Sequence, residues 1–323
     1  MRLVAALLAA VLSAGLAACG EDGAEPGAPK RATLVLDFQP NAIHTGIYSA
    51  LERGFYSEAG VELDVREPSA STDAPKLLQA GRAQLAILDI HDLGLARQEG
   101  ADVVGVAAIV QRPLAAVIAG DRAAVRRPRD LEGRRVGVTG LPSDDAVLDS
   151  VIESDGGDPA AVDRVTIGFE AVQVLSAGRL DAATAFWNAE GVTLRRLGIP
   201  TREFRVDEHG APPYPELVLA TSADLLREDP DLVGRVVDAT ARGYRFTVAS
   251  PDRSLDDLLA GVSGLKAGPQ RAQLRALTAA RSFEPPGRLD PDVLGAWSRW
   301  DAEAGILGRP LAVSDAFETR WSD

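Results

Sequence analysis

From residue 32 onward, apolar runs of strand length alternate with stretches whose apolar residues recur at helical spacing. Residues 33–38 read as a strand and lead through Gln39-Pro40-Asn41 into a helix over 43–56. Strands at 61–66 and 85–88 frame a helix at 74–79, and a helix at 93–98 precedes two further apolar runs, 103–110 and 114–119. A second cycle opens with a strand at 135–139, followed by a helix at 144–154, a strand at 165–168, a helix at 172–177 and a strand at 182–186. After a last strand at 216–220 the pattern is helical from 223 to about 306. Such alternation predicts an α/β fold with mostly parallel sheets covered by helices on both faces.

One internal echo divides the chain. Leu77-Leu78-Gln79-Ala80-Gly81-Arg82, followed by Ala86, returns 97 residues later as Val174-Leu175-Ser176-Ala177-Gly178-Arg179, followed by Ala183. Each copy has the form of a helix end, a glycine after the last turn and a short strand. Two similar lobes are therefore expected. Residues 32–118 form the first, residues 119–212 the second, and residues 213–323 return to complete the first. The cleft between them is the expected ligand site, closing by hinge motion about 119 and 213.

Composition narrows the class. The chain has 323 residues, 46% hydrophobic and 25% charged, which suits a folded protein and excludes wholesale disorder or a polytopic membrane protein. At this length two domains are the default. The net charge of −13 argues against a nucleic-acid partner, which needs a basic footprint. Residues 1–18 carry a charged start and a short apolar run, the form of a signal peptide. Leu16-Ala17-Ala18-Cys19 resembles a bacterial lipobox, which makes Cys19 the lipid anchor. Cys19 is the only cysteine, so no intramolecular disulfide can form. Each acyl CH₂ buried in the membrane contributes about 0.8 kcal/mol. The small, Pro/Gly-rich residues 19–31 read as a flexible tether. The expected location is the extracytoplasmic face of the cell membrane, at a cell surface or in a periplasm.

Catalytic chemistry is not signalled. His44, His91 and His209 show no metal-ligand spacing, and there is no Gly-x-Ser-x-Gly elbow, cysteine nucleophile or P-loop. No metal site and no cofactor are expected. Asp144-Asp145 read as first-turn acids favoured by a helix dipole. The candidates are instead polar and aromatic residues at strand ends, where open α/β folds bind ligands. Phe38, Asn41 and His44 follow the first strand, and Asp89 the third. Ser143 stands at the expected N-cap after residues 135–139, and Trp187, Asn188 and Glu190 follow residues 182–186. Asn41 and Ser143 read equally well as helix caps. Tyr214 either faces the cleft or staples the lobes. Trp187, isolated at a strand end, reads as a ligand contact.

Leu36-Asp37-Phe38-Gln39-Pro40-Asn41, with His44-Thr45-Gly46-Ile47-Tyr48 two residues on, resembles the opening of the NMT1/THI5-like proteins. The likeness continues through Gly140-Leu141-Pro142-Ser143-Asp144, Gly168-Phe169-Glu170-Ala171-Val172, Phe186-Trp187-Asn188-Ala189-Glu190-Gly191 and Tyr214-Pro215-Glu216-Leu217-Val218-Leu219. It implies a type 2 periplasmic-binding-protein fold and a monomeric binding protein that delivers a small heterocyclic ligand to an ABC permease and its ATPase. The implied ligands are a thiamine pyrimidine precursor or a riboflavin-like compound, with another small aromatic or sulfur compound as the alternative. The resemblance further implies that Phe38, where the family has Trp, and Trp187 sandwich the ring while Asn41, His44 and Glu190 read its edge. Some members are pyrimidine synthases with a lysine-held pyridoxal phosphate near the end of the third strand. Here that stretch is Ala86-Ile87-Leu88-Asp89-Ile90-His91, and no lysine occurs between Lys76 and Lys266. The chain is therefore expected to bind and not to catalyse, with an exported enzyme or a pyrimidine-synthase relative as the alternative of another class.

Overall fold

A computed structural model describes residues 29–68, 73–121 and 124–322. The predicted signal peptide 1–18 and Cys19 lie outside the described residues, as does most of the tether. Lys30 and Arg31, assigned to that tether from sequence, already belong to the first strand, and Lys30 Nζ pairs with Asp229 at 2.7 Å.

The chain first lays down β1 (Lys30–Val35), α1 (Thr45–Glu52), α2 (Phe55–Glu58), β2 (Val61–Arg66), α3 (Asp73–Gln79), β3 (Leu85–Asp89), α4 (Ile90–Gln98) and β4 (Val103–Val110). It then crosses to build β5 (Ala115–Gly120), β6 (Arg135–Val138), α5 (Pro142–Glu153), β7 (Asp163–Thr166), α6 (Ala171–Ser176), β8 (Ala182–Phe186), α7 (Val192–Arg196) and β9 (Thr201–Arg205). It returns as β10 (Leu217–Ser222), and the rest is helical: α8 (Ala223–Glu228), α9 (Pro230–Ala249), α10 (Pro251–Gly261), α11 (Ala267–Ala279), α12 (Pro291–Glu303) and α13 (Val313–Ala316).

Two five-stranded sheets result, ordered β2-β1-β3-β10-β4 and β7-β6-β8-β5-β9. The orders are equivalent. Three parallel strands are followed by one that has just crossed between lobes and runs antiparallel to both neighbours: β10 in the first sheet, β5 in the second. Four strands of each sheet thus run one way and the fifth is reversed, which makes the sheets mixed, because a strand entering from the other lobe arrives from the opposite end. The crossover also lies earlier than expected. β5 pairs with β8 and β9, so residues 111–114, not 119, connect the lobes.

The sequence echo falls at equivalent places. Gly81 (φ +65°) and Gly178 (φ +64°) end α3 and α6 in the left-handed region. Arg82 N–H donates to Leu77 O and Arg179 N–H to Val174 O, each at 2.9 Å, and β3 and β8 follow as third strands. Both faces of each sheet are buried. Leu85 and Ile87 of β3 pack into one core and Ala86 and Leu88 into another; β5 alternates likewise, Ala116 and Ile118 against Ala115, Val117 and Ala119. Edge strand β9, Thr-Arg-Glu-Phe-Arg, escapes notice in the sequence because only Phe204 is buried and the charged residues guard a sheet edge. The helix expected over 43–56 is a 3₁₀ turn (Ala42–His44), α1 and α2, broken at Gly54 with φ +74°.

α1 and α9 cross at glycines, letting Tyr244 Oη donate to Ile43 O at 2.8 Å. A Cβ on Gly243 would stand 2.0 Å from Gly46 O, a backbone atom that cannot move alone. An alanine in mid-helix normally gains about 1 kcal/mol over glycine. Here the clash reverses the sign: Gly243→Ala is expected to cost about 1–3 kcal/mol in urea unfolding.

Candidate functional site

A cavity of about 470 Å³ lies between the two sheets. The ends of β1, β3, β6 and β8, the loops after them, and residues from β10 and α11 build its wall. Phe38, half exposed after β1, faces Phe169 from the second lobe, with ring centroids 6.4 Å apart and planes 44° apart. Phe169 is 70% exposed and, with Phe38 and Leu141, groups three of the exposed large apolar side chains on the cavity wall.

The sequence-predicted residues divide. Phe38, Asn41, Asp89, Ser143 and Glu190 line the cavity. Asn41 does so while capping the 3₁₀ turn: its Oδ1 accepts from Ile43 N–H at 2.9 Å and its Nδ2 donates to Gln39 O at 3.0 Å. Asp89 caps α4 by accepting His91 N–H at 2.8 Å. Ser143 is not the cap of α5; Leu141 holds that position and Pro142 opens the helix. Glu190 Oε2 accepts Phe186 N–H at 3.1 Å.

Trp187, Asn188, His44 and Tyr214 are outside the wall. Trp187 is fully buried, its Nε1 donates to Pro113 O at 3.0 Å, and Arg205 covers its ring at 4.1 Å. The reason is helical phase. Residues 187–191 form a π-helical turn running into α7, so Phe186, Ala189, Glu190 and Thr193 share the cavity face while Trp187 turns away toward Pro113 and Arg205 of β9. Asn188 is fully buried, and neither amide atom has a partner among the described residues. Tyr214 is fully buried within the first lobe: it stacks on Trp300 at 5.7 Å and sets its hydroxyl 3.3 Å from His91 Nε2. His44 acts through its neighbour. Its Nδ1 accepts Asn41 N–H at 3.1 Å, so Nε2 carries the hydrogen donated to Asp37 Oδ1 at 2.8 Å. That bond aims Asp37, which does line the cavity.

Sequence reasoning missed most of the wall's charge. Asp37, Asp92, Asp144 and Glu216 join Asp89 and Glu190, giving six carboxyl groups, with neither lysine nor arginine among the described lining residues. Asp37 and Glu216 were legible only as strand-end neighbours of Phe38 and Tyr214, and Asp144 as a helix-dipole acid. Asp144 in fact ties the site together, accepting Thr139 N–H at 2.8 Å and Thr184 Oγ1–H at 3.0 Å. Gln270 and Gln273 of α11 also line the cavity and left no sequence signal.

Burial sets the electrostatics. Glu216 is pushed up to about 8 by burial, with the Asp89 carboxylate adding to the effect. Asp92 is pushed up to about 7 by the same two causes, and burial also raises Asp89 and Glu190. For His91, burial works against the cation. The Asp301 carboxylate, 2.8 Å from Nδ1, outweighs that with help from Asp89 and Glu216, and raises the imidazole to about 10. Burial and mutual repulsion thus favour the protonated carboxyls, while Asp301 favours the protonated imidazole.

The two-lobed fold, with a cleft at the strand ends of both lobes, is that of the type 2 periplasmic binding proteins. It superposes on the alkanesulfonate-binding protein SsuA from Xanthomonas axonopodis pv. citri bound to MOPS with a TM-score of 0.69, covering 90% of this chain and 99% of that one at 17% identity. The family model described as NMT1/THI5 like matches residues 41–254, and the chain belongs to that family. The formylaminopyrimidine-binding protein of Halalkalibacterium halodurans is 33% identical over 258 residues, 79% of this chain and 78% of the relative. The riboflavin-binding protein RibY of Chloroflexus aurantiacus is 25% identical over 315 residues, 90% and 86% of the two chains. A 4-amino-5-hydroxymethyl-2-methylpyrimidine phosphate synthase of Legionella pneumophila is 25% identical over 229 residues, 70% and 72%.

Two outcomes follow from this geometry. Trp187→Ala is expected to cost about 3–5 kcal/mol in denaturant unfolding, as for a buried aromatic. Glu216, Asp92 and His91 all bind their protons more tightly in the folded chain than in the unfolded one. Stability is therefore complete below the unfolded pKa values and is lost as pH rises through the folded ones. The melting temperature of the ligand-free protein should fall between pH 5 and pH 9, the acids acting from about 4.5 to 8 and His91 from about 6.5 to 10. Glu216→Gln should flatten the part of that curve below pH 8.

Proposed function

We propose that this chain is the solute-binding component of an ABC importer and captures an aminopyrimidine of the thiamine-precursor type between its lobes. The supporting observation is the charge of the wall: six carboxyl groups and no lysine or arginine among the described lining residues. An amino group beside a ring nitrogen offers donors, and a proton, to such a wall, and charge-assisted hydrogen bonds are about twice as strong as neutral ones. A sulfonate would meet a wall dominated by carboxyl groups, whose one cationic neighbour, His91, is already paired with Asp301. The carbonyl edge of a flavin likewise presents acceptors to the carboxylates, which ranks riboflavin second. Phe38 and Phe169 replace the expected Phe38–Trp187 pair as the aromatic surfaces for a flat ring. The cavity volume falls within the roughly 300–1,000 Å³ of small-ligand sites.

The reading is capture without turnover. His91, the only histidine of the described wall, is already committed to Asp301, and no lysine stands near the end of β3 to hold a pyridoxal phosphate. Export and tethering through Cys19 would keep the protein beside its permease, and closure would move the lobes about residues 111–114 and the return before β10. Division of the chain into lobes at those two crossings, with residues after β10 completing the first, is part of the same proposal.

Isothermal titration of the purified protein should show binding of 4-amino-5-hydroxymethyl-2-methylpyrimidine or formylaminopyrimidine, weaker binding of riboflavin and none of aliphatic sulfonates. Glu190→Gln should weaken the aminopyrimidine by about tenfold, or 1.4 kcal/mol, and riboflavin less. Sulfonate binding, or silence toward every heterocycle, would sink the assignment.

A further inference from the structure

The family model ends at residue 254, yet part of the cavity wall comes from beyond it. Leu265, Gln270 and Gln273 line the cavity from α11 and the residue pair before it. α11 packs on the 3₁₀ turn Ala42–His44 of the first lobe and on the π-helical turn and α7 of the second. At Gly268 it passes so close to α7 that a Cβ would stand 3.2 Å from the Arg196 guanidinium. The helix therefore spans the cleft and touches the wall-bearing segments of both lobes.

Gln270 is the residue of α11 with chemistry to offer. It is 9% exposed, and its Oε1 is buried with no hydrogen-bond partner among the described residues. An amide carbonyl held that way costs stability that an apolar side chain of similar size would not. The wall's other neutral groups include the Asn41 amide, which is spent on Gln39 O and Ile43 N–H, and the Thr184 hydroxyl, which donates to Asp144, whereas the Gln270 carbonyl has no such partner among the described residues.

We infer that Gln270 is a specificity-determining residue, whose amide hydrogen-bonds the captured heterocycle and selects the ring edge that the cleft accepts when closed. The inference rests on the heterocycle-binding reading above and assigns its selectivity to a segment outside the part matched by the family model. Members that share residues 41–254 but differ in α11 would then share the acidic floor and differ in the compound they prefer. Selection of this kind is effective because a ligand that leaves the buried amide unpaired loses more than one hydrogen bond is worth.

The test compares Gln270→Leu with the wild type in two measurements, using 4-amino-5-hydroxymethyl-2-methylpyrimidine, formylaminopyrimidine and riboflavin as probes. In the ligand-free protein the variant should melt at or above the wild-type temperature, by about 2 °C. By titration, affinity for the preferred aminopyrimidine should fall at least tenfold, and the ratio of aminopyrimidine to riboflavin affinity should change. A lower melting temperature without ligand would overturn the inference, because Gln270 would then be a packing group bonded to a neighbour such as Asn188. Unchanged affinity, or equal losses for all probes, would overturn it too. If the wild type takes none of the probes, the aminopyrimidine reading falls. The ligand-free comparison still decides Gln270: a rise upholds a carbonyl kept for a ligand, a fall removes it.

Discussion

The lobes are joined where the chain crosses and returns, and one carboxyl group bonds the two crossings together. Glu216, at the end of the return, accepts the Leu114 N–H of the first crossing at 2.6 Å, and Ile90 N–H, at the start of α4, donates to the Glu216 carbonyl at 3.0 Å. The C-terminal segment secures the first crossing from the other side. Gln111 N–H donates to Ser282 O at 2.6 Å, its side-chain amide to Arg288 O at 2.9 Å, and Arg112 Nη1 to Ala280 O at 3.2 Å. Because Glu216 also lines the cavity, the junction that holds the lobes and the wall that meets the ligand share an atom group.

That arrangement explains why so much negative charge is tolerated in one place. Six carboxyls facing one another would each be costly if ionised and dry. Three features reduce the cost. Backbone N–H groups serve Asp89, Glu190, Asp144 and Glu216. Burial raises Asp92 and Glu216 far enough that protons remain near neutral pH. Beneath them lies the His91 imidazole, raised to about 10 by the Asp301 carboxylate against the cost of burial and flanked by Tyr214 and Trp300. A ligand bringing donors and a proton would take over work these groups now do for one another. An anion would add to the repulsion.

The alkanesulfonate-binding neighbour shows that the same two-lobed scaffold serves an anion in another protein. The fold therefore does not decide the sign of the ligand. Here the strand ends and the turns and helices that follow them carry acids on both lobes: Asp37, Asp89 and Asp92 on one, Asp144 and Glu190 on the other.

Local patterning determined the α/β class, the paired lobes and nearly every element, because strand and helix periodicities and glycine caps act within a few residues. Arg82 and Arg179 sit in matching bonds after matching glycines, as the repeated string implied. It also placed Phe38, Asn41, Asp89, Ser143 and Glu190 at strand ends, where the topology opens a cleft. Only the tertiary structure decided which neighbours face that cleft. Trp187 and Glu190 lie three residues apart on one turn, and the phase of a π-helical turn sends one inward and the other to the ligand side. Asp37 owes its aim to His44, seven residues away, and Gln270 reaches the wall from a helix more than 200 residues beyond β1. Side-chain direction and long-range approach depend on how whole elements pack, and no local stretch of sequence carries that information.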